Sequence, residues 1–192
     1  MSAVSSGRSL EEQRTEFASQ RLIAMPIAGT VAWALVGVAG LLLQPFHAVW
    51  ALFIATGSIV YLGMGISRLT GENFMDRSRP KNVFDRLFFY AVIEALLVYA
   101  IAIPYFIADY TSLPLSVGIL TGLMWVPLSW IVQHWVGLFH GIARTVLVLA
   151  AWLAFPKARF VAVPFTIVFV YLVTIVILER RWRAVHADHV TH

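Results

Sequence analysis

The sequence has no cysteine and few charged residues, and both absences restrict what the protein can do. Without cysteine it has no disulfides, no thiolate metal ligands and no cysteine nucleophile, although its cellular compartment stays open. Charged residues make up 12% of the 192 positions, against about 25% in an ordinary soluble domain. Hydrophobic residues make up 60%, which is more than a soluble fold of this length can bury. We therefore expect lipid to cover much of the protein.

Recognised catalytic patterns are missing as well. The chain has no glycine-rich phosphate loop, no Gly-x-Ser-x-Gly and no His-Glu-x-x-His. His134 and His140 are six residues apart, so on one helix they would point in different directions. We expect no metal site and no cofactor, and we favour a protein that is not an enzyme. An intramembrane enzyme that acts on a lipid-like substrate, with Glu94 and His140 as acid and base, stays open as an alternative.

Five apolar blocks separate the clusters of charge. They cover residues 22–43, 46–67, 87–108, 113–155 and 160–178. A membrane core about 30 Å thick requires about 20 helical residues at about 1.5 Å each. The fourth block has 43 residues and is long enough to cross twice. The sequence therefore predicts an all-α, polytopic transmembrane bundle of six helices.

The basic residues predict the orientation of this bundle. With both termini inside (N-in and C-in), only Lys157 and Arg159 of the 14 basic residues fall outside the cell, and cytoplasmic segments retain Lys and Arg during insertion. Orientation thus explains the net charge of +4, and we expect no nucleic-acid partner. We divide the chain into a cytoplasmic segment (1–21), a transmembrane domain (22–179) and a cytoplasmic tail with arginines and histidines (180–192).

Two cytoplasmic segments carry further signals. Ser9 and Glu12 have the spacing of a capping box, so residues 10–21 are predicted to form a short helix before the first span. Nearby glutamates make this stretch too acidic for a cleaved signal peptide. The loop around 68–86 is basic, and we expect it to contact anionic lipid headgroups or to serve only as a topology signal.

Three local motifs occur in the first half of the chain. They are Gly-x-x-x-Trp from Gly29 to Trp33, the end of the second span with Gly63, Gly65 and Ser67, and Asn82 before the third span, followed by Val83 rather than proline. In these motifs the chain resembles an uncharacterised family of small bacterial multi-spanning integral membrane proteins. The resemblance implies a multi-pass protein of the bacterial inner membrane with about six spans, and it brings no known activity.

Two charged residues fall inside predicted spans. Glu94 lies nine residues beyond Asp85, and Arg144 lies nine residues beyond Trp135, on spans that both run outward from the cytoplasm. Both should therefore sit about 14 Å deep, near the midplane. An ionised group at that depth costs about 2.5 kcal/mol or more and is expected to have a partner. We therefore predict a Glu94–Arg144 ion pair.

The neighbours of Arg144 predict which side of its helix faces inward. Residues at spacings of three or four form one stripe: Gly137, His140, Gly141, Arg144, Val148 and Ala151. Tyr90 lies one turn before Glu94 on the third span. We interpret Tyr90, Glu94, His140 and Arg144 as candidates for ligand binding or proton relay. A purely structural pair that locks two helices stays open, as does an Arg144 that reaches the cytoplasmic interface alone.

Tryptophans and prolines predict local features of the spans. Three deeper tryptophans are expected to fill gaps between helices: Trp33, Trp125 and Trp130. Three prolines are expected to kink the third, fourth and sixth spans: Pro104, Pro127 and Pro164.

Together these observations favour binding or passage of an ion or a small polar or anionic molecule through a cavity lined by the four candidate residues. The alternative is a non-enzymatic scaffold or partner-binding protein whose buried charges only hold helices together. Glycines spaced for close helix packing can contact a helix of the same chain or of a second copy, and we favour a homodimer.

Overall fold

The structure is a computed structural model that describes residues 7–74, 80 and 82–188. These residues form α-helices and one short 3₁₀ helix, and no β-strand occurs among them. The helices are α1 (Leu10–Ala18), α2 (Ala24–Leu42), α3 (Pro45–Gly57), α4 (Ile59–Leu69), α5 (Val83–Leu97), α6 (Tyr99–Ala108), the 3₁₀ helix (Tyr110–Ser112), α7 (Leu113–Leu120), α8 (Trp125–Val132), α9 (Val136–Ala154) and α10 (Arg159–Asp188). The predicted all-α fold is confirmed.

Several helical segments are long and apolar enough to cross a membrane. Within the described residues five pass on length and composition: Ala24–Leu42, Val83–Ala108, Tyr110–Val132, Val136–Ala154 and Arg159–Ala187. Helices α3 and α4 together make a sixth if they count as one span bent by 47°. The protein is therefore a multi-pass membrane protein, and the N-in, C-in orientation stays a prediction.

The N-terminal helix packs against one end of the bundle. Ser9 and Glu12 form the predicted capping box at the start of α1. The ring of Phe17 lies 6.2 Å from that of Phe84, at the start of α5. Asn82 donates from its side-chain amide to the carbonyl of Gln13, at 2.8 Å. These contacts hold α1 against the entry to α5.

The connection before α2 and the last turns of α10 lie at the same end of the molecule. Arg21 and Glu179 form an ion pair at 2.7 Å, and Arg181 donates to the carbonyl of Gln20 at 2.7 Å. An even number of crossings requires this arrangement. Three cations that were predicted to contact lipid headgroups, Arg77, Arg79 and Lys81, lie outside the described residues.

Most of the breaks between helices do not coincide with the prolines. α6 continues through Pro104 and α10 through Pro164, so neither proline ends its helix, and the predicted kinks stay a prediction. Pro127 is the third residue of α8, where a backbone N–H has no acceptor within the helix. The chain leaves the helix just before α8, at residues 121–124. A second interruption, at Ser58, separates α3 from α4.

Small residues allow the closest helix contacts. A Cβ on Gly40 of α2 would meet the backbone carbonyl of Phe160 of α10, and one on Gly137 of α9 would meet the carbonyl of Trp125 of α8. Trp33 and Trp125 are buried in the core as predicted. Trp130 is 65% exposed, so its predicted interior position is wrong. It lies instead beneath Arg14 of α1, 5.7 Å from the ring centre.

Candidate functional site

Arg144 is a fully buried arginine near the middle of a membrane span. It is the ninth residue of α9, about 12 Å along the helix axis from its start, and its exposure is 0%. The inward stripe predicted for this helix is confirmed, because all six of its residues are buried. The predicted alternative in which Arg144 reaches the interface alone is wrong.

The guanidinium group of Arg144 is hydrogen-bonded on all of its nitrogens. Nε donates to the backbone carbonyl of Gly118 at 2.6 Å, and Nη2 donates to Oγ1 of Thr121 at 2.9 Å. Nη1 donates to the hydroxyl of Tyr171 at 3.0 Å and lies 3.4 Å from Nε2 of His140. The arginine therefore joins α7, α9 and α10.

The break in the fourth span explains why Arg144 bonds to a carbonyl. In a continuous α-helix the N–H of Gly122 would donate to the carbonyl of Gly118. Here it donates to the carbonyl of Ile119 at 2.9 Å, because the chain tightens into a 3₁₀ turn. The released carbonyl of Gly118 accepts from Arg144 instead. The guanidinium thus sits at the carbonyl end of α7, where the helix dipole is negative.

Aromatic rings enclose the cation on the side of α2. The guanidinium carbon of Arg144 lies 5.6 Å from the ring centre of Trp33 and 5.2 Å from that of Tyr171, within the range of cation–π attraction. The ring of Tyr171 fits against Gly29, where a Cβ would come within 2.5 Å of it. The Gly29-to-Trp33 motif therefore builds one wall of this site.

His140 extends the polar cluster toward α10. Its Nδ1 lies 2.9 Å from Oγ1 of Thr174. The single hydroxyl proton of Thr174 is already donated to the carbonyl of Val170 at 2.8 Å, so the hydroxyl accepts from a protonated Nδ1. Nε2 then carries the lone pair that faces Arg144, and the imidazole is neutral. Stacking on Trp125, at 4.3 Å between ring centres, holds it in this orientation.

Glu94 and Tyr90 lie apart from this cluster. No ion pair joins Glu94 to Arg144 in the described part of the chain, so the predicted pair is wrong. Both Glu94 and Tyr90 are exposed on the outer side of α5. The physical reason is that the carbonyl end of α7 and three neutral side chains already satisfy the cation. Of the four candidate residues, the structure brings together only His140 and Arg144.

The remaining members of the Arg144 cluster, Thr121, Tyr171 and Thr174, were not among the candidate residues predicted from the sequence. Tyr171 and Thr174 are three residues apart in the last span, which is the spacing of one polar helix face. Thr121 precedes Gly122 and lies six residues before Pro127, a combination typical of a helix break. These were the available signals. Among the described residues no three His, Asp or Glu side chains are grouped closely enough to hold a metal ion.

Comparison with known proteins identifies a family. The profile of a family of unknown function, DUF7010, matches residues 10–181, which includes every member of the Arg144 cluster. No curated protein and no solved structure is significantly similar to the chain.

Proposed function

The chain belongs to the DUF7010 family of unknown function, and from this premise we propose a function that rests on Arg144. The protein binds a small anion, or a small molecule with an anionic group, at Arg144 in the middle of the membrane and lets it pass. The observation that carries the proposal is a buried cation at a broken span with only neutral partners among the described residues.

The charge balance of the cluster supports an anionic ligand. Hydroxyl groups, one carbonyl and a neutral imidazole stabilise the guanidinium of Arg144 but do not cancel its charge. A charged side chain at the bilayer centre costs about 2.5 kcal/mol or more. Well-packed hydrophobic residues often replace even a buried ion pair at no loss of stability. A net positive charge is therefore more useful for attracting an anion than for holding helices together.

The helix break supports a site that opens. Transporters often bind their substrates where membrane helices are discontinuous near the midplane. Residues 121–124 form such a discontinuity, and Gly122 within it has no side chain to restrict rearrangement. Arg144 bonds to the chain on the α7 side of this break, through the carbonyl of Gly118 and the hydroxyl of Thr121. Exchange of those bonds for bonds to an anion would couple ligand binding to rearrangement of the break between α7 and α8.

One observation favours a second candidate, a non-enzymatic scaffold. Arg144 and His140 both have 0% exposure, and the chain itself supplies a partner for every guanidinium nitrogen. In this alternative the cluster only locks α7, α9 and α10 in register. The protein would then bind no small molecule at this position.

Reconstituted proteoliposomes separate the two functions. Chloride, acetate and inorganic phosphate serve as probes in a flux assay, and thermal unfolding is followed with and without each anion. Arg144→Gln removes the charge and keeps hydrogen-bonding groups, whereas Arg144→Lys keeps the charge. Arg159→Gln removes an arginine at the end of a span and serves as the matched control.

An anion-binding function predicts a specific pattern. At least one probe anion crosses the membrane or raises the melting temperature of the wild type. Arg144→Gln lowers the flux of that anion by about tenfold or more, which corresponds to a free-energy change of about 1.4 kcal/mol. Arg144→Lys retains part of the effect, and Arg159→Gln retains all of it. If the wild type responds to none of the probes and Arg144→Gln only lowers its melting temperature, the scaffold is the correct function.

A further inference from the structure

We propose that the span Val83–Ala108 is the interface of a homodimer, in which Glu94 lies between two copies of the chain. The proposal concerns α5 and α6 and is independent of the function of Arg144. Its occupant is a second copy, related to the first by a two-fold axis along the membrane normal.

This span is far less covered than the others. Only 6% of the most apolar 18 residues of Val83–Ala108 are buried, against 39–44% of the corresponding residues in the four other unbent spans. On one side α6 does contact the bundle, because Ala102 is fully buried and Tyr99 bonds to Thr56 at 2.8 Å. Most of the remaining surface of this span has no protein against it among the described residues.

Glu94 makes lipid an unsuitable neighbour for that surface. It lies about 16 Å along the helix from Val83, close to the midpoint of a span of 26 residues. Its side chain is exposed, so in a single copy the carboxyl group would face hydrocarbon. Ionisable residues in membrane spans almost always face protein or a water-filled cavity instead. A purely apolar face could contact lipid, but a face that contains Glu94 requires protein or water against it.

Glu94 lies on one continuous stripe of this exposed surface. Residues at spacings of three and four lie along it, the pattern of helices that pack side by side. Its members are Tyr90, Glu94, Leu97, Ile101 and Tyr105. The four apart from Glu94 are each more than half exposed. The stripe runs through both α5 and α6 and therefore offers a contact along most of the span.

A second copy supplies what Glu94 lacks. In a parallel two-fold pair, residues of equal depth face each other across the axis. Tyr90 lies one turn from Glu94, so its hydroxyl can donate to the Glu94 carboxyl group of the other copy, and the reverse bond forms by symmetry. Hydrogen bonds of this kind between membrane helices favour association. Each copy thus brings both the donor and the acceptor.

Cross-linking in membranes tests the proposal, and the chain suits it because it contains no cysteine. Leu97→Cys and Ile101→Cys place single thiols on the stripe. Ile103→Cys places one on the opposite side of the same span, and Ile142→Cys places one on the exposed side of α9. We expect oxidation to form dimers from the two stripe variants about tenfold faster than from the two controls. Equal rates at all four positions, or no dimer from any of them, would overturn the interface.

Substitutions of Glu94 and Tyr90 test the role of these side chains in chains without an introduced cysteine. The dissociation constant of the dimer is measured by energy transfer between labelled copies as they are diluted in liposomes. We expect Glu94→Leu to weaken the dimer about tenfold and Tyr90→Phe to weaken it severalfold, while Glu94→Gln, which still accepts a hydrogen bond, stays close to the wild type. Circular dichroism verifies that each variant is folded, as the exposure of both side chains predicts.

Three results would overturn the homodimer proposal. A wild type that is monomeric at all dilutions overturns the proposal, as does a dimer that Glu94→Leu strengthens. A monomer that retains a lipid or another protein along the stripe also overturns it, because the occupant would then be something other than a second copy.

Discussion

At the scale of single residues, Arg144 reaches its hydrogen-bond partners because Gly122 has no side chain. A Cβ at this position would lie 2.8 Å from Cδ and 3.1 Å from Nε of Arg144, and 3.0 Å from the carbonyl of Ile119. The arginine cannot move away without losing its bond to Gly118. The missing side chain therefore provides the space in which the guanidinium crosses from α9 to α7.

We expect Gly122→Ala to lower the free energy of unfolding by about 1–3 kcal/mol, the usual cost of overpacking. Chemical or thermal unfolding in detergent measures this. The matched control is Gly65→Ala in α4, where a Cβ would meet nothing within 4 Å and alanine favours the helix by up to about 1 kcal/mol. If both variants have the same stability, the close approach of Arg144 to Gly122 is contradicted.

At the scale of helices, polar groups from one element complete the ends of another. Oε1 of Glu72, which follows α4, accepts hydrogen bonds from the backbone N–H groups of Ile23 and Ala24, both at 3.0 Å. These are orphan donors at the start of α2, and a carboxylate is favoured there by the helix dipole. Leu22, just before them, has a φ of 60°, a strained value for a bulky residue. Glu72 therefore fixes how the chain enters the first span.

Burial raises the pKa of Glu72 from the ordinary carboxyl value of 4.5, against the lowering effect of the two backbone hydrogen bonds. The folded chain then holds this proton more tightly than the unfolded chain. Stability from the protonated group is fully present below pH 4.5 and is lost as the pH rises through the folded pKa. We expect the melting temperature of the wild type, relative to Glu72→Gln, to fall as the pH rises from 4.5 towards neutrality.

The control for this titration is Gly65→Ala, which changes no ionisable group. Its melting temperature relative to the wild type should therefore stay constant over this range. A wild-type melting temperature that rises with pH relative to that of Glu72→Gln would mean that the N–H groups of α2 outweigh burial, and would reverse the sign of the prediction.

At the scale of the whole molecule, each end of the bundle has its own polar cluster. The end with the start of α2 and the last turns of α10 has the Arg21–Glu179 pair. The other end has Arg159, which lies 3.7 Å from the ring centre of Trp152 and pairs with Asp109 at 3.3 Å. The sequence assigns the first end to the cytoplasm and the second to the outside. That assignment stays a prediction because the structure contains no membrane.

Single thiols test the orientation. In intact cells we expect a membrane-impermeant maleimide to label Lys157→Cys, in the exposed connection between α9 and α10, and to leave Arg183→Cys unlabelled. After lysis both should react to a similar extent, because both side chains are exposed. Labelling of Arg183→Cys in intact cells would reverse the bundle.

Local patterns in the sequence determined the all-α class, the capping box at Ser9 and the buried stripe around Arg144. These depend on hydropathy and on the helical repeat, which act between residues close in the chain. The same reasoning placed Trp33 and Trp125 correctly in the interior. It could not place Trp130, because a tryptophan is equally suited to a gap between helices and to the membrane interface.

Only the tertiary structure decided which groups meet across helices. Glu94 and Arg144 have opposite charges and similar depths, yet depth and charge do not say which way a helix is turned or which helices are neighbours. The break at residues 121–124 released a backbone carbonyl next to Arg144, and a carbonyl has no signature in the sequence. Once that carbonyl and the dipole of α7 had satisfied the guanidinium, no carboxylate was needed, and Glu94 was left on the outer side of the bundle.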